Sequence, residues 1–169
     1  MELEKFRLRP WTMRDLKSLV KHANNHHISR FMTDQFPHPY STATGKAYLN
    51  FAMSAKPVRI FCIEVNGEAA GGIGIHPQND IQAKNAELGY WLAEPFWGQG
   101  IVTEAIKITV DFGFKNFDIN RIFARPFGSN LASQRVLEKA GFFLEAKLIQ
   151  TLFKEGVFED ELIYCIRRD

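Results

Sequence analysis

Two glycines just past the middle of the chain, Gly98 and Gly100, are the residues with the clearest chemical potential. They follow an apolar, strand-like run that ends near Leu92, and a helical pattern begins directly after them. Because glycine adopts left-handed backbone conformations at little cost, such a loop can turn several N–H groups towards one ligand. The helix behind it adds unpaired amides and the positive end of its dipole. Strand, glycine loop and helix together predict a phosphate-binding site.

The elements that must position this loop indicate an α/β protein, and the length favours a single domain over residues 1–169. Before the loop, Asn66-Gly67 stands between two apolar runs, which is typical of a β-hairpin. After it, the pattern predicts a long helix, a strand over 121–127, a helix that begins at Asn130 and ends at Gly141, and two long strands. This order of elements predicts a mixed sheet with helices between its central strands.

Composition excludes several other classes of protein. The chain has 21 basic and 19 acidic residues, a formal net charge of +2 and no dense Lys/Arg run, which argues against an obligate nucleic-acid partner. No apolar run approaches the roughly 18 residues that span a membrane, and the first residues lack the apolar core of a signal peptide. Cys62 and Cys165 lie in apolar, strand-like runs, which predicts buried, reduced thiols. We therefore expect a cytoplasmic protein without a membrane partner.

Three motifs in this order resemble those of the GNAT superfamily of acetyl-CoA-dependent N-acetyltransferases. The first is the strand-like run 86–92, the second is the run from Trp97 to Ala105, and the third extends from Asn130 to Phe142. A lone Gly-x-Gly pattern is a weak signal, whereas three motifs at the expected spacing are specific. Within the superfamily, the chain is most similar to the branch that includes the ribosomal-protein alanine N-acetyltransferases. The resemblance implies a mixed, largely antiparallel central sheet splayed into a V, with helices on both faces.

The resemblance also implies acetyl-CoA as the co-substrate and assigns residues to its binding. Amides around the glycine loop would hold the pyrophosphate, and N–H groups at the end of the preceding strand would polarise the thioester carbonyl. Asn130 would cap its helix and also bond the pantetheine arm. The loop departs from the family pattern at Val102, where glycine or alanine is usual. The implied cofactor-binding residues are Trp91, Leu92, Gly98, Gln99, Gly100, Val102, Thr103 and Asn130.

Direct attack of an amine on a thioester needs mainly positioning and a group that accepts a proton. Glu87 is the first candidate for that base, and a paired or solvent-facing strand carboxylate is the alternative interpretation. Asp160 is the second candidate, although three consecutive acidic residues are also typical of a solvated turn. Ser133 would protonate or steer the leaving thiolate, a role for which Tyr164 is the alternative unless it packs into the core. The predicted catalytic residues are therefore Glu87, Ser133 and Asp160.

The acceptor is specified only as a primary amine, either on a protein N-terminus or on a small molecule. His22, His26 and His27 are expected to lie in the helical segment that walls the acceptor site. No neighbouring Cys, Asp or Glu completes a tetrahedral set with them, so we predict no metal. The chain is expected to act as a monomer or a homodimer. The alternative function is a non-catalytic acyl-CoA-binding sensor, which would keep the glycine loop and Asn130 but lack a usable base.

Overall fold

The computed structural model describes residues 5–169, in which seven strands form one sheet in the order β1-β2-β3-β4-β5-β7-β6. The pairs β1–β2, β2–β3, β5–β7 and β6–β7 are antiparallel, and β4–β5 is parallel. The predicted mixed, largely antiparallel sheet is therefore confirmed. The strands are β1 Arg7–Pro10, β2 Ile60–Val65, β3 Glu68–Pro77, β4 Asn85–Leu92, β5 Arg121–Ala124, β6 Phe143–Lys154 and β7 Val157–Arg167.

The helices lie before β2 and between β4 and β6. Their bounds are α1 Leu16–Ala23, α2 His26–Ser29, α3 Thr42–Ser54, α4 Ile101–Asn116 and α5 Leu131–Lys139. Among the described residues, none of these helices combines the length and the apolar composition that crossing a membrane requires.

Contacts between residues divide the chain into two compact units. The first comprises residues up to Gly74 together with Tyr90–Ala105, and the second comprises Ile75–Gly89 and Ile106–Asp169. Strands β3 and β4 and helix α4 each contribute residues to both units.

The core of the first unit is aromatic. Trp91, at the end of β4, packs edge-on against Phe36 with ring centroids 5.6 Å apart, and Trp11 meets Tyr48 in the same way at 5.5 Å. These rings contact apolar residues of α1, α3 and β2, which are buried with them. The predicted hairpin at Asn66-Gly67 is confirmed, since both residues have the positive φ angles of a type I′ turn, 51° and 80°.

In the second unit, β7 lies between β5 and β6 and carries the most deeply buried side chains of the last two strands. Cys165 on β7 is fully buried and free, as is Cys62 on β2 of the first unit. Burial raises the pKa of Cys62 to about 12, so this thiol is protonated and inert at neutral pH. The prediction of buried, reduced thiols is confirmed.

Strands β4 and β5 pair over only three residues. The parallel ladder begins at Asn85 opposite Arg121 and ends at Glu87 opposite Phe123. β4 nevertheless continues to Leu92. This short ladder is what a sheet splayed into a V would show, and the splay itself stays a prediction. Glu87 lies at the last pair of the β4–β5 ladder.

Candidate active site

The glycine loop, residues 97–100, has the backbone that its sequence predicted. Gly98 and Gly100 have φ angles of 73° and 79°, in the left-handed region that favours glycine. A Cβ added to either would meet no atom of the described residues within 4 Å, so the loop stands open. Helix α4 follows, and its Glu104 N–H donates to the Gly100 carbonyl at 3.2 Å. The amides of the first turn before Glu104 have no partner within the helix and can bind an anion.

Side chains and backbone bonds fix this loop to the end of β4. The Trp97 N–H donates to the Glu94 carbonyl at 3.1 Å, and the Trp97 indole Nε1 donates to the Leu92 carbonyl at 2.7 Å. On the helical side, Ile101 and Thr103 are buried, whereas Val102 is half-buried. Hydrogen bonds therefore hold the loop on the β4 side and buried side chains hold it on the α4 side, while its glycines remain exposed.

The backbone N–H and carbonyl groups of Leu92, at the end of β4, point away from β3. The N–H of the next residue, Ala93, donates to the Ala70 carbonyl at 2.7 Å. Successive backbone groups of an extended strand point to opposite edges, so the Leu92 groups face the other way. The bond from Trp97 to the Leu92 carbonyl is consistent with this direction. Of the two amides considered from sequence, the geometry favours that of Leu92, while the Trp91 ring packs in the core.

Glu87 is an ion-paired carboxylate. Its Oε1 accepts from Arg125 Nε at 3.0 Å, and its Oε2 lies 3.4 Å from Arg125 Nη2. The same guanidinium reaches Glu161, with Nη1 3.5 Å from Oε1. The Glu87 side chain is 30% exposed, so its remaining lone pairs are accessible.

Sequence reasoning missed Arg125. The only local signal was a basic residue between the end of β5 and Pro126. Its contact with Glu87, 38 positions away in the chain, depends on the register of the parallel strands β4 and β5. Spacing along the chain does not predict such a register.

The structure places Asp160 in an irregular part of the β6–β7 ladder. Its Oδ1 accepts from the Gln150 N–H at 2.9 Å, and its Oδ2 lies 3.6 Å from Lys147 Nζ. Gln150 has a positive φ of 51° where the register shifts. The Asp160 carbonyl accepts the Gly128 N–H at 2.8 Å. The Asp160 side chain thus bonds the bulge in β6, whereas its backbone carbonyl bonds the segment that follows β5.

Asn130 caps α5 as its position in the sequence predicted. Its Oδ1 accepts from the Ser133 N–H at 3.2 Å. On β7, the Tyr164 hydroxyl donates to Glu138 Oε1 at 2.9 Å and is buried. Burial and the bond to Glu138 raise the pKa of Tyr164, so the hydroxyl keeps its proton at neutral pH. Asn130 and Ser133 therefore lie together at one helix terminus, whereas Tyr164 is held by the last turn of that helix.

Asn130→Ala should lower the free energy of unfolding by about 1 kcal/mol, because the first turn of α5 loses the acceptor for its Ser133 amide. Chemical denaturation measures the loss. Asn130→Asp is the matched control, since aspartate is an equally good N-cap and should preserve stability. An equal loss in both variants would contradict the capping role.

A cleft of about 560 Å³ opens in the first unit beside Glu94. The Glu94 carboxylate accepts from Asn25 Nδ2 at 2.7 Å and lies 3.0 Å from His27 Nδ1. The hydrogen bond from Asn25 contributes most, and the contact with His27 contributes next, to a lowered pKa of the Glu94 carboxyl group, which keeps it anionic. The cleft is lined by Lys21, His22, Asn24, Asn25, His26, His38, Glu94 and Pro95.

The three histidines of the first helical segment have different surroundings. His22 Nε2 lies 2.9 Å from Glu68 Oε2, and His26 lies with His38 on the cleft at a ring-centroid distance of 5.7 Å. His27 does not line the cleft but holds Glu94. Within residues 5–169, no three His, Cys, Asp or Glu side chains lie together as a metal site.

The match to a known protein family covers most of the chain. Residues 5–143 match the model of the acetyltransferase (GNAT) domain. YdaF of Bacillus subtilis, a candidate ribosomal N-acetyltransferase, is 32% identical over 101 residues, which are 60% of this chain and 55% of YdaF. The spermidine N(1)-acetyltransferase of Escherichia coli is 25% identical over 161 residues, which are 95% of this chain and 84% of that enzyme. The chain thus spans about half the length of relatives such as YdaF.

Among solved structures, a ribosomal L7/L12 alpha-N-protein acetyltransferase in complex with coenzyme A has a TM-score of 0.85 and 23% identity. The superposition covers 99% of this chain and 96% of that one, which shows a shared fold. The family match spans well over half of the chain and includes the glycine loop, β4 and the Asn130 cap. This chain therefore belongs to the acetyltransferase (GNAT) domain family.

Proposed function

We propose that this chain is an N-acetyltransferase that moves the acetyl group of acetyl-CoA to a primary amine, and that residues 1–169 act as one domain. The observation that carries the proposal is the glycine loop, whose left-handed Gly98 and Gly100 lead into α4 in a member of the GNAT family. The ribosomal L7/L12 acetyltransferase of the same fold was solved with coenzyme A, which supports the choice of donor.

The loop fits the pyrophosphate of the donor. Its open glycines leave space for phosphate oxygens, and the unpaired amides of the first turn of α4 supply N–H donors at the positive end of the helix. The side chain of Val102 is half-buried and does not remove its own amide from this set. We assign the pyrophosphate to Gly98, Gln99, Gly100, Val102 and Thr103.

Acetyl-CoA, when bound, supplies an activated thioester. The chain then has two tasks at the reacting atoms, to polarise the thioester carbonyl and to take a proton from the attacking amine. The Leu92 N–H, on the β4 edge directed away from β3, suits the first task. Glu87 suits the second, because it is accessible and lies where β4 leaves β5. We rank Asp160 below it, since the Asp160 carboxylate is engaged in the β6–β7 bulge.

We assign the acceptor to the cleft beside Glu94. This carboxylate is anionic and held from two sides, so it can receive an ammonium group. Glu94 follows Leu92 by two residues and belongs to the same unit, which supports an acceptor site close to the proposed thioester site. The E. coli relative is named for spermidine and YdaF for ribosomal acetylation, so both classes of amine belong in the test.

An acceptor screen tests the proposal. Peptides that begin with Ala or Ser, polyamines and amino acids are each incubated with acetyl-CoA, and the release of free coenzyme A is followed with a thiol reagent. We expect turnover with at least one primary amine and none with the form of that compound in which every primary amine is acetylated. Binding of acetyl-CoA by calorimetry without turnover of any amine would favour the acyl-CoA sensor instead.

A further inference from the structure

Two carboxylates of the second unit share one guanidinium. Arg125 follows β5 directly, and it contacts Glu87 of β4 and Glu161 of β7. We propose that Arg125 is a positioning residue, which holds the Glu87 carboxylate in the orientation needed to accept the proton of the acceptor amine, with Glu161 as the second anchor of the guanidinium. The inference rests on the proposed role of Glu87.

The backbone that carries Arg125 is fixed on both sides. Before it, Ala124 pairs with Tyr164 in the β5–β7 ladder. After it, the Pro126 carbonyl accepts the Leu162 N–H at 3.0 Å. The backbone from which the Arg125 side chain extends is therefore held in place where β5 ends.

Glu161 gives the guanidinium a fixed counter-charge. It is only 9% exposed, its Oε2 lies 3.4 Å from Thr151 Oγ1, and its backbone bridges to Phe127. Arg125, at 48% exposure, is therefore tethered at Nη1 by a buried carboxylate while Nε and Nη2 face Glu87.

The geometry at Glu87 restricts the carboxylate without blocking it. Two nitrogens of a planar guanidinium face its two oxygens, which limits rotation of the carboxylate plane. A carboxylate has about four lone-pair sites, so two remain for the amine proton or for a bridging water. A lysine would supply the charge but only one point of contact.

Arg125→Met tests the inference. We expect kcat to fall by about 10- to 100-fold because the base is no longer oriented. The KM for acetyl-CoA should stay within about twofold, since Arg125 acts on the base rather than on the glycine loop. Arg125→Lys should restore only part of kcat, because a lysine contacts the Glu87 carboxylate at a single point.

Arg167→Met is the matched control. Arg167 is an arginine of the same unit, is 56% exposed and forms an ion pair with Glu145 at 3.7 Å. Its loss should leave kcat and the KM for acetyl-CoA unchanged. An equal fall in kcat for both arginine variants would overturn the positioning role and indicate a general effect of surface charge.

A double-mutant cycle separates this inference from the proposed function. In a Glu87→Gln background, Arg125→Met should cause no further loss of kcat, because the group it positions is gone. An undiminished loss in that background would overturn the inference, as would normal kcat in Arg125→Met alone while Glu87→Gln is impaired. Normal turnover of Glu87→Gln would instead reject Glu87 as the base, and the inference with it, while leaving acetyl transfer intact. Thermal melting confirms that each variant is folded.

Discussion

Gly100→Asp is expected to weaken the binding of acetyl-CoA by at least about 100-fold, the largest loss of affinity that the structure predicts. Gly100 has a φ of 79°, where an L side chain costs roughly 1–2 kcal/mol. The new carboxylate would also lie among the phosphates, where like charges about 4 Å apart repel by roughly 4 kcal/mol at an intermediate dielectric constant. Because the loop is exposed, solvent screens part of this repulsion, and we therefore expect less than the full sum.

Two variants isolate the effect of charge at the phosphates. Gly67→Asp introduces the same residue at a φ of 80°, again with no described atom within 4 Å of the new Cβ, but in the β2–β3 turn. It should lower stability without changing affinity for acetyl-CoA. Gly100→Ala carries the strain without the charge and should show an intermediate affinity. Calorimetric affinity of Gly100→Asp equal to that of Gly67→Asp would remove the phosphate site from the glycine loop.

Glu87→Gln is expected to lower kcat by roughly 10²- to 10⁴-fold, the usual contribution of a general base. The amide keeps the shape of the side chain but cannot accept the amine proton. The affinity for acetyl-CoA should change little, because the donor contacts assigned to the glycine loop do not involve this residue. Steady-state kinetics with the amine found in the acceptor screen, together with calorimetry, measures the two effects separately.

Glu145→Gln is a close control for this substitution. Glu145 is also a strand carboxylate of the second unit, is 32% exposed against 30% for Glu87, and is paired with an arginine, Arg121, at 2.6 Å. We expect nearly normal kcat for it. If both glutamine variants lose kcat to the same extent, disruption of strand ion pairs explains the loss, and the proton acceptor must be sought elsewhere.

Features that depend on a few consecutive residues were predictable from the sequence alone. The Asn66-Gly67 turn and the left-handed glycines of the loop follow from the conformational freedom of these residue types. The Asn130 cap follows from a side chain that bonds an amide three residues later. The physical cause in each case is local, so these features do not require knowledge of the rest of the fold.

The limits of strands were predicted less well, since they depend on partners. The pattern predicted a strand over 121–127, whereas β5 ends at Ala124. Arg125 precedes a proline, which cannot donate to a ladder, and β4 has already left the pairing at Glu87. Where a strand ends is therefore set by its neighbours as well as by its own residues.

The sequence by itself determined the glycine backbone of the proposed donor site, because a phosphate-binding loop depends on local glycine conformation and on the helix terminus behind it. Only the tertiary structure decided the surroundings of the two candidate bases and of the Glu94 carboxylate in the cleft. It brought Arg125 to Glu87, placed the Gln150 amide on Asp160, and held Glu94 with Asn25 from 69 positions away. Such contacts depend on strand register and on packing of the whole chain, and a shift of one residue would turn each strand side chain to the opposite face.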